Sequence, residues 1–291
     1  MSIPRTRLKG VVLTLVGVTV VSPDSLLIRL MQTDIWTVLF FRGALGGVTL
    51  YVISLLLERP TGVKGFQRMG LAGLAVAVSY TACTLCFVYA VTHTTVANTL
   101  VIMSVSPILG AFLSRIFVGE DVPRRTWLAA IVIVAGLVII FRASLDGSSI
   151  AGDLAALGAA VLLATKFVIV RSCKEISMVP AIAVGSLMTG LIALPFAVPV
   201  VLSSEGYIYA LLLGLVLVPL GTSMTTLGPR YLLVPESGLI MLLEVLLAPL
   251  WVWLVIREMP STEALAGGIL ILGALTLLLA GSLRSYRRRR V

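Results

Sequence analysis

Long apolar runs separated by short polar loops are the main feature of this sequence. Each run is close to the roughly 20 residues that an α-helix needs to cross a bilayer. The ten runs cover residues 8–28, 35–57, 69–91, 95–118, 126–142, 152–171, 178–202, 207–229, 234–256 and 263–283. No loop between two runs is long enough for a soluble domain. The pattern therefore predicts an all-α polytopic membrane protein with ten transmembrane helices.

The composition supports this fold class. Of the 291 residues, 59% are hydrophobic and 12% are charged, whereas soluble domains carry about 45–50% apolar and roughly 25% charged residues. Outer-membrane barrels alternate apolar and polar residues, and these continuous runs do not. The segment Val11–Val21 follows three basic residues, as in a signal peptide, but no small-residue cleavage site comes after it. We therefore expect an uncleaved first helix.

The basic residues predict the orientation of the chain. With the N-terminus in the cytoplasm, sixteen Lys and Arg residues fall in cytoplasmic segments, three in external loops and three inside spans. Cytoplasmic loops of membrane proteins carry this excess of positive charge. We therefore expect a bacterial-type inner membrane protein with both termini in the cytoplasm. The tail Arg287–Arg290 is expected to contact anionic lipids and not nucleic acid.

Few residues are available for metal, cofactor or nucleophilic chemistry. The chain has three cysteines, Cys83, Cys86 and Cys173, and one histidine, His93. Cys83 and Cys86 lie within an apolar run, where they are expected to pack and not to bind zinc. The sequence contains no G-x-x-x-x-G-K-[ST] phosphate-binding loop. We therefore predict no metal site, no cofactor and no enzymatic activity.

The second half of the chain repeats the first. A shift of 138 residues pairs Val96 with Val234, Met103 with Met241 and Glu120 with Glu258. Five spans in each half is an odd number, so the second half enters the membrane inverted. Inverted repeats of this kind build many secondary transporters, with the substrate site near the midplane. We divide the chain at residues 1–146 and 147–291.

Several segments resemble the drug/metabolite transporter superfamily of the EamA type. These are Asn98–Glu120, an apolar helix with Pro107 inside and Gly-Glu at its end; Gly152–Leu154, which opens the second half; and Glu244–Glu258, with its Ala-Pro-Leu-Trp stretch. The resemblance covers nearly the whole chain. It implies ten helices in two five-helix repeats and transport of a small metabolite, often export of amino acids.

The sequence departs from strict repeat symmetry at its prolines. Pro107 of the first repeat aligns with Val245, and the proline of the second repeat lies further on, at Pro249. The two halves therefore need not bend at equivalent positions.

Membrane-embedded polar residues usually face a bundle interior or water. Glu244 lies ten residues after Val234, which places it ~15 Å deep, about the bilayer centre. It is predicted either to carry a proton or bind a substrate ammonium, or to be a structural carboxyl paired within the bundle. Its repeat mate is Ser106, which is also polar and near mid-membrane.

Three of the other charges within spans are candidates for the site. Lys166 is either a ligand for a substrate carboxylate or, as we favour, a side chain that snorkels to the cytoplasmic headgroups. Arg42 binds an anionic group, snorkels outward or pairs with Asp24 at a similar depth. The ion pair is the preferred interpretation, because burial of both charges favours pairing.

The remaining candidates are uncharged side chains. Tyr80, Thr84 and Phe87 share one helical face, which suits an amphipathic substrate or ordinary packing. Ser237 is a lining or capping residue, and methionines suit an adaptable pocket or simple packing. Glycines such as Gly43–Gly47 are expected to allow close helix contact. The predicted central cavity is lined by Tyr80, Thr84, Phe87, Met103, Ser106, Ser237, Met241 and Glu244.

These expectations amount to a secondary transporter that exports small metabolites, above all amino acids, by alternating access. The expected partners are a small-molecule substrate and membrane lipids; the sequence does not determine the oligomeric state, and the fold is compatible with a monomer. A passive facilitator is the main alternative. A membrane enzyme that modifies lipid is disfavoured, because no compact catalytic set of polar groups is found at one interface.

Overall fold

The computed structural model describes residues 5–57, 63–119, 124–145, 150–173, 176–197, 202–231 and 234–288. These ranges contain helices and no strand, so the predicted all-α fold class is confirmed. The helices are α1 (Arg5–Val21), α2 (Asp24–Leu30), α3 (Ile35–Leu57), α4 (Val63–His93), α5 (Val96–Met103), α6 (Ser106–Val118), α7 (Arg124–Leu145), α8 (Ile150–Ser172), α9 (Val179–Ala193), α10 (Ser204–Leu211), α11 (Val218–Leu227), α12 (Val234–Ile256) and α13 (Thr262–Arg288).

These helices form the ten predicted spans. The first span is α1 with α2, the fourth is α5 with α6, and the eighth is α10 and α11 joined by a π-helical turn at Leu212–Leu217. Within the described residues, six segments are long and apolar enough to cross a membrane, and four shorter apolar helices complete the set. Ten spans are an even number, so the start of α1 at Arg5 and the end of α13 at Arg288 fall on one face of the bundle.

Prolines account for the interruptions in several spans. Pro23 separates α1 from α2, and Pro107 follows the break between α5 and α6. Proline lacks an amide donor and disfavours helical backbone in the residue before it. The seventh span was predicted to continue to residue 202, but α9 ends at Ala193 and a turn follows at Pro195. This prediction of length was wrong, because the apolar run continues past the proline that ends the helix.

The spans pack with the symmetry of two related halves. The third span packs on the sixth and, equivalently, the eighth packs on the first. The second packs on the seventh and the fifth on the tenth, so these spans contact their own repeat mates. Each of these contacts joins one half of the chain to the other. The core is therefore shared between the halves, as the two-repeat topology requires.

Glycine allows the closest of these crossings. A Cβ atom added to Gly43 in α3 would lie 2.3 Å from the backbone nitrogen of Gly190 in α9. A Cβ atom added to Gly136 in α7 would lie 2.9 Å from the carbonyl oxygen of Gly267 in α13. Contact between backbones at these points leaves no room for any side chain. The expected close helix contact at Gly43–Gly47 is thus present in the structure.

Large apolar side chains cover the outside of the bundle. Leu56 and Leu71 are 80% and 85% exposed, and Phe117 and Leu277 are 76% and 77% exposed. Soluble monomers rarely expose apolar patches of this extent. In contrast, Ala156, Ala159 and Ala160 of α8 are fully buried in the main core. Large apolar side chains thus cover the lipid-facing surface, and small residues allow close packing in this part of the interior.

Candidate functional site

Asp24 and Arg42 form a buried ion pair between the first and second spans. The Arg42 Nη1 group donates a hydrogen bond to Asp24 Oδ1. The two residues are 4% and 8% exposed. Asp24 is the first residue of α2, directly after the break at Pro23, so the interruption of the first span presents this carboxylate to Arg42. The pair predicted from the sequence is therefore present.

Lys166 of α8 lies inside the bundle. The residue is 9% exposed, and its Nζ atom is 5.7 Å from the ring centroid of Tyr80 and 4.7 Å from that of Phe167. Aromatic faces attract a cation at such distances. The preferred expectation of snorkelling to the headgroups was wrong, because the ammonium group packs against Tyr80 of α4 and not at the edge of the bundle.

Glu244 of α12 is the fourth charged residue of this region. We call Asp24, Arg42, Lys166 and Glu244 together the centre. Glu244 interacts electrostatically with Asp24, Arg42 and Lys166. Glu244 is partly exposed, whereas Asp24, Arg42 and Lys166 are buried. Among the described residues, neither Lys166 nor Glu244 makes a hydrogen bond or an ion pair, whereas Asp24 and Arg42 pair with each other. The centre therefore holds one neutralised pair and two separate charges of opposite sign.

The charges of this centre occupy repeat-related positions. A shift of 142 residues aligns the first span with the sixth and pairs Asp24 with Lys166. The shift of 138 residues pairs Ser106 with Glu244. One pair of equivalent positions thus carries the acid Asp24 and the base Lys166. The other pair carries the hydroxyl of Ser106 and the acid Glu244. This matches the location of sites in inverted-repeat transporters, at the interface of the repeats.

One face of α4 lies against both cations. Tyr80 contacts Lys166, and the Arg42 guanidinium carbon lies 5.3 Å from the ring centroid of Phe87. Thr84 lies between them on the same face and is 5% exposed. The three predicted residues of this face therefore line the region between the two positive charges.

The other predicted lining residues are distributed around this centre. Ser106 is buried at the start of α6, and Met103, at the end of α5, packs against the main core. Met241 is partly buried on α12, one turn before Glu244. The side chain of Ser237 lies outside the described residues. Cys83 is buried with its Sγ atom 3.5 Å from the carbonyl oxygen of Ala159, a packing role. The described part of the chain holds no cluster of three metal-ligating side chains.

Two polar contacts were not predicted from the sequence. The Trp251 indole N–H donates to the Ser22 hydroxyl over 2.9 Å. Arg29 pairs with Glu258 over 3.5 Å, on the face opposite the termini. The position of Glu258 at a helix end, repeated at Glu120, was the signal available for the second contact.

Comparison with known proteins independently supports a membrane transporter. The model of the EamA-like transporter family matches residues 8–142 and 150–280. The pseudopaline exporter CntI of two Pseudomonas aeruginosa strains is 28% identical over 245 residues, covering 81% of this chain and 83% of that protein. A solved crystal structure superposes with a TM-score of 0.68 at 18% identity, covering 94% of this chain and 99% of that one, and so shares the fold. With matched segments that span most of its length in two successive blocks, the chain belongs to the EamA-like transporter family.

Proposed function

We propose that this transporter exports amino acids or similar zwitterionic metabolites by alternating access around the centre at Lys166 and Glu244. The family and the exporter relative establish a membrane transporter of small molecules that is not an enzyme. The nature of the substrate and the mechanism are the new elements. They follow from the charges and surfaces at the centre of the bundle.

One observation carries the proposal: the centre has a buried ammonium and a carboxylate that are not engaged with each other. Lys166 and Glu244 make no hydrogen bond or ion pair within the described residues. Charged groups in a membrane interior are costly unless they are paired. A zwitterion supplies a carboxylate for Lys166 and an ammonium for Glu244, and thereby compensates both charges at once.

The surroundings suit the apolar part of such a substrate. Tyr80 and Phe87 flank the centre from α4, and Met103 and Met241 approach from the two repeat-related spans. Unbranched thioethers adapt to side chains of different shape. Ser106, Thr84 and Ser237 offer hydroxyl groups. We therefore assign these residues, with Glu244, to the substrate cavity.

The two repeats provide the moving bodies. We assign residues 1–146 and 147–291 to the first and second five-helix units. The contacts between mated spans, such as the second with the seventh, run along their shared interface. Rocking of one unit against the other would expose the centre to each face in turn.

We also assign the protein to the inner membrane of a bacterial-type cell, with cytoplasmic termini. The sixteen-to-three excess of basic residues on the side of the termini supports this orientation. Export then runs from the face of the termini to the face of Arg29 and Glu258.

Counterflow in proteoliposomes tests the proposal and separates it from a passive facilitator. Vesicles preloaded with an unlabelled amino acid should accumulate the labelled compound transiently, because a carrier exchanges substrate faster than it returns empty. A pore gives no overshoot. A panel of zwitterionic, cationic, anionic and neutral analogues should show preference for the zwitterions, and an equal response to the neutral analogues would refute the assigned substrate class.

Glu244→Gln and Lys166→Gln assign the two charges. Glu244→Gln should weaken the exchange of amino acids more than it weakens the exchange of analogues that lack the amine. Lys166→Gln should weaken the exchange of amino acids more than it weakens the exchange of analogues that lack the carboxylate. If Glu244 instead carries a proton, Glu244→Gln abolishes proton-driven transport but retains exchange. Ser106→Ala, at the mated position, should alter affinity only. Glu263→Gln serves as a control, since Glu263 is exposed.

A further inference from the structure

We infer that Arg29 and Glu258 form a latch that keeps the protein closed on the face opposite its termini, and that release of substrate there requires this latch to open. The latch comprises Arg29, Thr94, Val96, Asp153 and Glu258. Its role in transport rests on the function proposed above. The closure itself rests on the contacts between these residues.

Arg29 is the first element of the latch. Its Nη2 group donates a 2.6 Å hydrogen bond to the carbonyl oxygen of Thr94 and lies 3.5 Å from Glu258 Oε2. Arg29 is near the end of α2 in the first span, Thr94 lies between the third and fourth spans, and Glu258 follows the ninth. One guanidinium group thus holds three parts of the bundle together at this face.

Glu258 is bound from two sides. Its Oε1 atom accepts a 3.2 Å hydrogen bond from the backbone N–H of Val96, the first residue of α5. The first N–H groups of a helix have no partner within the helix, and the helix dipole attracts an anion there. The carboxylate therefore stabilises the start of the fourth span while it pairs with Arg29.

Thr94 extends the same closure to the sixth span. Its hydroxyl donates a 2.7 Å hydrogen bond to Asp153 Oδ1, and the two residues are 5% and 0% exposed. Gly152 lies so close that an added Cβ atom would be 2.9 Å from the Thr94 backbone nitrogen. Arg29, Thr94 and Val96 belong to the first half of the chain, and Asp153 and Glu258 to the second. The latch therefore joins the two halves.

The short helix α2 connects the latch to the central charges. It begins with Asp24, which pairs with Arg42, and carries Arg29 near its other end. The two residues are five positions apart, or ~7.5 Å along a helix. The break at Ser22 and Pro23 separates α2 from α1. Movement of α2 would therefore change the latch and the surroundings of the central charges together.

The latch is also weak enough to open during transport. The side chains of Arg29 and Glu258 are 28% and 23% exposed. Ion pairs that remain in contact with water contribute little, in contrast to the buried pair of Asp24 and Arg42. The two ion pairs at the ends of α2 thus differ in strength. The weaker pair, Arg29 with Glu258, lies at the surface and can open reversibly.

Cysteine accessibility tests the latch without any need for the substrate. Ser25 is 2% exposed and lies one helical turn before Arg29 on the same face of α2. Ser25→Cys is placed in a chain whose three native cysteines are replaced by alanine. Labelling by a membrane-impermeant maleimide is then measured from each face of the membrane. Thr99→Cys, on the fully buried Thr99 of α5, provides a second reporter.

We expect slow labelling in the parent and roughly tenfold faster labelling, from the latch face only, after Glu258→Gln or Arg29→Gln. The double variant should be no faster than the faster single one, since both changes open the same contact. Arg257→Gln and Glu263→Gln remove the same charges from exposed residues on the same face and should leave the rate unchanged.

Two results would overturn the latch. One is a rate for Glu258→Gln equal to that of the two control variants at both reporters. The other is faster labelling from the face of the termini. Faster labelling from the latch face in a protein that shows no counterflow with any analogue would leave the latch intact and reject the proposed function instead.

Discussion

The indole N–H of Trp251, in the ninth span, donates a 2.9 Å hydrogen bond to the hydroxyl of Ser22, in the first. Ser22 is 1% exposed and sits at the break between α1 and α2. A span of the second half thus holds the point where the first span is interrupted.

Removing either partner of this bond should destabilise the protein modestly. We expect Trp251→Phe and Ser22→Ala each to lower the free energy of unfolding by about 1 kcal/mol, and the double variant to lose no more than the larger single loss. Unfolding in mixed detergent micelles provides the measurement. Trp253→Phe removes an indole from the same helix and is the control. Additive losses would show that the two side chains act independently.

The ion pair of Asp24 and Arg42 should dominate the stability of the first two spans. Arg42→Gln leaves a buried carboxylate without its partner and should cost about 3–5 kcal/mol. Asp24→Asn combined with Arg42→Gln should cost less than Arg42→Gln alone. Thermal unfolding of the three variants decides this. Arg115→Gln, an exposed arginine of α6, should have little effect. If the double variant lost the sum of both single losses, the pair would not be coupled.

Sequence reasoning located the spans and the buried ion pair because both follow from the cost of polar groups in lipid. It did not place Lys166, because a lysine at that depth can either snorkel or turn inward, and only the neighbouring Tyr80 decides between them. It missed the contact between Arg29 and Glu258 because such a contact depends on how the spans pack.

Contact between backbones at Gly43 predicts a strong effect of a single methyl group. The Cβ of Gly43→Ala would lie 2.3 Å from the nitrogen of Gly190 and 2.7 Å from its Cα atom, so α3 and α9 must move apart. We expect a loss of about 1–3 kcal/mol. Gly110→Ala, in α6, meets nothing within 4 Å and should be nearly neutral. Thermal unfolding compares the two, and equal stability would contradict the close crossing.

Asp34 should make stability depend on acid pH. Partial burial opposes ionisation of this carboxyl, but hydrogen bonds from the Thr37 side chain and from the backbone N–H groups of Thr37 and Trp36 outweigh it and lower the pKa below the ordinary value of 3.8. The ionised group therefore stabilises the start of α3 above pH 3.8, and this contribution is lost as the pH falls through the lowered pKa.

The variant Asp34→Ala isolates this contribution. Loss of a helix cap should lower stability by about 1 kcal/mol near neutral pH. The difference from the parent protein should shrink as the pH falls below 3.8, because the parent then loses the same interaction. Thermal unfolding at several pH values measures it. A difference that stayed constant down to the lowest pH would argue against the cap.

The orientation of the chain can be measured at two positions. A reporter fused after Val291 should be cytoplasmic, and His93→Cys should react with an impermeant maleimide from outside intact cells, since His93 is exposed beside the third loop. The excess of basic residues on the side of the termini is the reason. A periplasmic reporter at the C-terminus would reverse the orientation and, with it, the direction assigned to export.

The crossing of Gly43 with Gly190 also has a consequence for the proposed movement of the two halves. The second and seventh spans are predicted repeat mates, so in the proposed two-unit arrangement their contact lies near the pseudo-two-fold axis that relates the units. In a rigid-body rotation about that axis, displacement grows with distance from it, so atoms at the crossing move least. Where the backbones of Gly43 and Gly190 meet directly, no side chain stands between them to oppose such turning. In the proposed alternating access, the glycine crossing would therefore act as the pivot, and side chains at the ends of the bundle would travel furthest.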